Sequence, residues 1–279
     1  VIEYDASRDA LYRPALRPTV FVAGATVAPD GLCAECSRLA YLHFEGDPAQ
    51  REQLIDALAL AGLTQWAGFN DAKTGTEAYA VVKADSGEIL VAFRGTQPGD
   101  ITDLGTDINV RPAPWSKGGN VHSGFATAFE GVRADVERWI DQHGGNSRLI
   151  VTGHSLGAAL ATLAMSRWRA RRLVTFGCPR VGDKAFVATL DLKACVRYVD
   201  CCDIVCTVPP ANGWYADSGP KRYIDREGIV RDTISEPEAT SDRENARVQY
   251  FLKYTGARSN VVVRDLADHA PINYVRAFF

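Results

Sequence analysis

The sequence predicts an α/β protein with a mostly parallel central sheet flanked by helices. Three observations lead there. Through the middle of the chain β-rich runs alternate with helical runs, the pattern of parallel strands joined by crossover helices and covered on both faces. Residues 148–152 form a short strand of buried type. That strand runs straight into Gly153-His154-Ser155-Leu156-Gly157 and then an Ala-rich helix, a strand–turn–helix unit.

Taken in order, residues 1–25 are mixed and Pro-containing, which predicts an arm laid on the surface. Residues 34–44 and 49–63 are expected to be helical, because Leu39 and Leu42, then Leu54, Leu58 and Ala61, recur at three- and four-residue steps. Residues 78–83 and 88–94 are β-rich, and Asp85-Ser86-Gly87 between them signals a hairpin. Residues 95–120, rich in Gly, Pro and Asp, read as irregular. From 122 to 143 an apolar face of Phe125, Phe129, Val132, Val136, Trp139 and Ile140 predicts an amphipathic helix closed by Gly144-Gly145. The helix after Gly157 should reach about Arg169, followed by strands over 172–176 and 195–199. Residues 211–247 turn polar, with one hairpin around 223–230 and an acidic stretch, 235–244, read as a solvated loop or helix start. Nothing in the middle of the chain resembles a linker, so residues 1–279 are expected to form a single domain.

Composition excludes several function classes. Apolar residues make up 46% and charged residues 23%, an ordinary globular balance, and the formal net charge is 31 − 34 = −3. Without a basic stripe there is no electrostatic basis for nucleic-acid binding. No apolar run approaches the length of a membrane span. Neither a signal-peptide pattern nor a protein partner is predicted. Seven cysteines leave at least one thiol over. The lone Cys33-x-x-Cys36 lacks a second ligand pair, so it is expected to be two buried thiols one helical turn apart and not a zinc site.

The chemistry points to Ser155. A sharp strand-to-helix turn thrusts its hydroxyl clear of the backbone, and Gly153 and Gly157 remove side chains that would clash there. The following helix aims its amino-terminal N–H groups at the same place, which makes Leu156 N–H an oxyanion donor. A serine needs a base, and in this arrangement the order is Ser, acid, His. Of His43, His122, His143, His154 and His269, only His269 lies after Ser155. His154 is adjacent on a turn whose neighbouring side chains point apart. Asp200 and Asp203 both follow the 195–199 strand, and spacing does not separate them. Asp268 is a further candidate acid. No cofactor and no metal are needed for such chemistry.

These residues resemble the class 3 lipases, the family of the filamentous-fungal triacylglycerol lipases, over about residues 75–275. Phe93-Arg94-Gly95-Thr96 is similar to the family's oxyanion segment, and Val121-His122-Ser123-Gly124-Phe125 to the start of the helix before the nucleophile strand. Thr152–Ala159 matches the elbow almost verbatim, and residues 175–182 (TFGCPRVG) match its T-F-G-x-P-R-V-G block. Asp203-Ile204-Val205 with Pro209-Pro210 resembles the acid loop, and Asp268-His269 with Tyr274 the terminal histidine segment. Cys206 stands where the family usually has Pro, and His269 and Tyr274 are further apart than usual.

The resemblance implies an α/β-hydrolase fold and favours Asp203 over Asp200. It implies Thr96 as second oxyanion donor and places a candidate lid over 97–115, where Ile101, Leu104 and Ile108 recur at helical spacing. It implies an acylglycerol or other lipid ester as substrate, met at a lipid–water interface, and makes export from the cell an expectation. His122, His154, Arg94 and Arg180 are read as packing and hydrogen-bonding residues around the site. The competing readings are a short-chain or feruloyl-type esterase and a catalytically silent lipid-binding module.

Overall fold

The computed structural model describes residues 1–95, 111–211 and 214–279. The chain opens with helix α1 (Arg8–Tyr12), α2 (Pro29–Leu39) and α3 (Pro48–Leu60). Strands β1 (Leu63–Asp71), β2 (Thr76–Lys83) and β3 (Ile89–Phe93) follow, then a small ladder of β4 (Pro112–Pro114) with β5 (Asn120–His122). Next come α4 (Ser123–Gln142), β6 (Leu149–His154), α5 (Leu156–Trp168), β7 (Arg172–Phe176), α6 (Lys184–Val187) and β8 (Cys195–Asp200). The chain closes with β9 (Lys221–Ile224), β10 (Val230–Arg231), α7 (Glu236–Tyr254), α8 (Arg264–Ala267) and α9 (Pro271–Val275).

The main sheet has the order β1-β2-β3-β6-β7-β8-β9-β10. Its centre, β3 through β9, pairs in parallel, while the β1-β2-β3 and β9-β10 connections are antiparallel. With helices on both sides, this is the expected α/β-hydrolase architecture. Alternation along the strands sorts side chains into two cores. Tyr79, Val81, Leu90 and Ala92 join α2 and α3 on one face, whereas Ala78, Ala80, Val91 and Phe93 join α4 and α5 on the other. Phe93, fully buried and stacked on Trp168 at 6.2 Å, is one such anchor; burying a ring of this size contributes about 2 kcal/mol.

Two local features depart from the sequence reading, each for a physical reason. Helix α2 runs 29–39, not 34–44, because Pro29 occupies the first helical turn, where its missing N–H costs nothing. Its end at Leu39 leaves Tyr41 in a turn. Leu63 begins β1 instead of ending α3. That edge strand was illegible because a register shift between Thr64 and Ala67 and a positive φ at Gln65 break any two-residue period, and only Leu63 in it is buried. The acidic stretch at 235–244 is indeed a helix start, closed by a reciprocal Ser235–Glu238 capping box.

The nucleophile strand, turn and helix meet β3 at van der Waals limits. A β-carbon on Gly157 would lie 2.1 Å from the Phe93 carbonyl oxygen, an approach that only glycine permits. Because the obstacle is backbone, Gly157→Ala is expected to lower unfolding free energy by about 3 kcal/mol. Urea denaturation checks this; an unchanged midpoint would contradict the packing described.

Candidate active site

Ser155 sits between β6 and α5 with φ 57° and ψ −127°, a strained conformation for a residue with a side chain. The turn is held by Ser155 N–H donating to Phe176 O on the neighbouring strand at 3.0 Å. As residue before the first turn of α5, Ser155 does not spend its hydroxyl on capping. Its Oγ instead lies 2.8 Å from His269 Nε2. His269 Nδ1 lies 2.8 Å from Asp203 Oδ2, and all three side chains are buried. Since an ionised carboxylate only accepts, Nδ1 carries the imidazole proton toward Asp203, and the Nε2 lone pair faces the serine hydroxyl.

Asp203 is held in turn. Its Oδ1 accepts from Val205 N–H at 2.9 Å, and the Tyr274 hydroxyl donates to Oδ2 at 2.5 Å. The longer His269-to-Tyr274 spacing therefore still brings the phenol onto the acid. The buried Cys206 thiol lies 3.8 Å from both Asp203 Oδ2 and the Tyr274 hydroxyl. Gly177, with φ +60°, floors the pair: a β-carbon there would lie 3.0 Å from Asp203 Oδ2 and from the His269 ring.

The two other candidate acids are placed elsewhere. Asp200 is fully buried, and neither of its oxygens has a hydrogen-bond partner among the described residues. Burial first, and the nearby Asp268 charge second, push its pKa well above the usual carboxylate range. Its backbone serves the site: Asp200 O accepts from Asp203 N–H at 2.7 Å, and Asp200 N–H donates to the Tyr274 oxygen at 3.1 Å. Asp268 directs its carboxylate to Tyr4, Arg264 and the Cys202 N–H, while the imidazole of His269 takes Asp203.

The supporting residues have definite partners. His154 Nδ1 lies 2.8 Å from the Tyr41 hydroxyl, and its ring centroid is 4.5 Å from that of His269. Burial, reinforced by His269, holds its pKa well below the usual histidine value, so it adds no charge beside the base. His122 caps α4, its Nδ1 accepting from Gly124 N–H at 3.0 Å. Arg94 pairs with Glu77 at 2.7 Å. Arg180 ties down the segment after the acid, donating to the Thr207 and Pro209 carbonyls and to Asp217. Tyr41 was invisible to sequence reasoning, lying 113 positions from His154 with no motif of its own.

Leu156 is the first residue of α5, directly after the nucleophile candidate. Thr96 and the apolar series Ile101, Leu104 and Ile108 fall outside the described residues. Cys33 and Cys36 are buried free thiols within α2, as expected. Among the described residues one group has metal-ligand character, Cys201, Cys202 and Asp268, but Arg264 already neutralises that carboxylate at 3.1 Å. No helix among the described residues is long and apolar enough to cross a membrane.

A strained serine at a strand-to-helix turn, on a sheet of this topology, defines an α/β-hydrolase fold with a nucleophile elbow. Residues 90–213, which hold both Ser155 and Asp203, match the model of the lipase (class 3) family. The chain is 31% identical over 176 residues to the secreted mono- and diacylglycerol lipase 1 of Fusarium solani, covering 59% of this chain and 52% of that protein. The chain thus spans about half the length of the curated relatives it matches. Among solved structures it resembles the lipase of Rhizopus microsporus var. chinensis, with a TM-score of 0.57 and 27% identity over 80% of this chain and 83% of that one. A triacylglycerol lipase whose catalytic centre is a serine protease triad matches with a TM-score of 0.57 and 25% identity, covering 70% of this chain and 77% of that one.

The raised pKa of Asp200 makes a prediction about stability. Its folded pKa is raised, so the native state binds a proton that the unfolded chain releases above about pH 4. Stability from this group is complete below that point and declines as pH rises toward the folded pKa. Asp200→Asn, neutral at every pH, should therefore be more stable than the parent at pH 8 and gain nothing at pH 4. Denaturant titrations at the two pH values decide it; an equal effect at both would mean that Asp200 is ionised in the fold.

Proposed function

We propose that this chain is a serine-dependent carboxylic ester hydrolase acting on acylglycerols or related lipid esters, a triacylglycerol lipase in its main activity. The observation that carries the reading is the unbroken line from Ser155 Oγ through His269 to Asp203, built on a strained elbow at the start of a helix.

In the mechanism this supports, His269 Nε2 takes the Ser155 proton as Oγ attacks the ester carbonyl. Asp203 stabilises the imidazolium through Nδ1–H and keeps the ring in the working tautomer. The tetrahedral oxyanion is received by Leu156 N–H and, on the strength of the sequence resemblance, by Thr96. Each such donor is worth about 3 kcal/mol in the transition state. His269 then protonates the leaving alcohol, and the acyl-serine is hydrolysed by a water that the same imidazole deprotonates. The class 3 lipase match and the acylglycerol lipases among the relatives support a lipid ester, presented at a lipid–water interface, over a soluble one. A relative described as secreted supports export of this chain too.

Hydrolysis of a p-nitrophenyl ester series and of emulsified triacylglycerol tests the reading. The parent is expected to cleave long-chain and emulsified substrates, and Ser155→Ala to lose roughly 10⁴-fold or more in kcat. Activity confined to short soluble esters would move the function to esterase. Undiminished activity in the variant would remove Ser155 from the chemistry.

A further inference from the structure

The segment carrying His269 is fastened to the acid loop by a buried network that the chemistry of the triad does not itself require. Asp268 is its hub. The carboxylate is fully buried, next in sequence to His269, and none of its hydrogen bonds goes to the imidazole. Its Oδ2 accepts from Cys202 N–H at 2.9 Å, one residue before Asp203. On the other side of the acid, Ile204 N–H donates to Asp265 O at 3.2 Å. The two residues flanking Asp203 are thus each bonded to the short helix that leads into His269.

Two further anchors fix the hub. Arg264 Nε approaches both Asp268 oxygens, at 3.2 and 3.1 Å, and its guanidinium also donates to the Ala246 and Arg226 carbonyls. The Tyr4 hydroxyl donates to Oδ1 at 2.8 Å, with the guanidinium groups of Arg264 and Arg276 lying 5.0 and 4.8 Å from the Tyr4 ring centroid. The amino-terminal arm continues along the same segment. Asp5 N–H donates to Asn273 Oδ1, and the Asn273 amide returns hydrogen bonds to Asp5 O and Ala267 O. A buried carboxylate with three donors is an expensive arrangement to desolvate, and it is rigid once every donor is in place.

We propose that Asp268 is a positioning residue: it locks the His269 segment to the acid loop, with Tyr4 of the amino-terminal arm as its outer anchor, and so sets the Asp203–His269–Ser155 geometry. This rests on the ester-hydrolase reading for its kinetic consequence but not for its structural one. The network acts through the imidazole and touches no substrate. Loosening it should lower kcat and leave KM alone, because a base displaced by a fraction of an ångström loses proton transfer before it loses binding.

The test uses three variants of the whole chain. Asp268→Asn keeps the shape of the hub and removes its charge; Tyr4→Phe removes only the outermost hydrogen bond, which guards against a misfolded first variant. Leu58→Ala, a buried core position in α3, controls for lost stability alone. Expected are a kcat lower by roughly ten- to a hundredfold in Asp268→Asn and a smaller loss in Tyr4→Phe, with KM unchanged in both. Leu58→Ala should keep its kcat per folded molecule. The low-field proton resonance of His269 Nδ1–H, read by NMR, should shift or broaden in the first two variants and stay put in the third. That readout needs no turnover, so it decides the inference even if the parent hydrolyses no ester, an outcome that would defeat only the functional reading. Parent-like kcat together with an unmoved resonance in Asp268→Asn and Tyr4→Phe would overturn the proposal.

Discussion

Everything at the site depends on one crowded crossing, where the turn at Ser155 passes over the end of β3. The serine can hold φ 57° only because its N–H is fixed to Phe176 on one side while Gly157 rests against the Phe93 backbone on the other. Strain of this kind costs on the order of 1–3 kcal/mol and persists only where surrounding packing over-determines it. Here the packing comes from both cores: Phe93 and α5 lie on one face of the sheet, Phe176 and α2 on the other. In return, the hydroxyl is not spent on capping α5 and reaches His269 Nε2.

The second constraint is electrostatic. Four buried carboxyl groups, Asp200, Asp203, Asp242 and Asp268, lie on or against the segments around the end of β8. They are kept apart in role by what surrounds them. Asp203 gathers His269, Tyr274 and the Val205 N–H, while Asp268 takes a guanidinium, a phenol and the Cys202 N–H. Asp242 is held by Arg226 and the Tyr223 hydroxyl. The Asp200 carboxyl has no hydrogen-bond partner among the described residues, and burial raises its pKa. Donors are therefore assembled around three of the four carboxyl groups.

Much of this was legible in the sequence. The nucleophile strand and helix were set by strong local patterns, and chain order alone left His269 as the base. The choice between Asp200 and Asp203 was not legible from spacing, because the difference lies in a turn that sends one side chain into the protein and the other toward the histidine. Resemblance to a known loop favoured Asp203, and the structure brings that residue to His269. Asp268, weighed as an acid on composition, faces away from the ring next to it. The strand β1 was missed because its bulge destroys the period a reader looks for, and the partners Tyr41 and Tyr4 because contacts across more than a hundred residues leave no local trace.

The central claim is that Ser155 is a nucleophile activated by this geometry, and covalent trapping tests it most directly. Incubation with an alkylphosphonate ester carrying a p-nitrophenol leaving group, followed by proteolysis and mass spectrometry, should place one phosphonyl adduct on Ser155. Release of p-nitrophenol should match it one for one and be lost in His269→Ala. An unmodified Ser155, or an adduct on another residue with the same kinetics, would contradict the account.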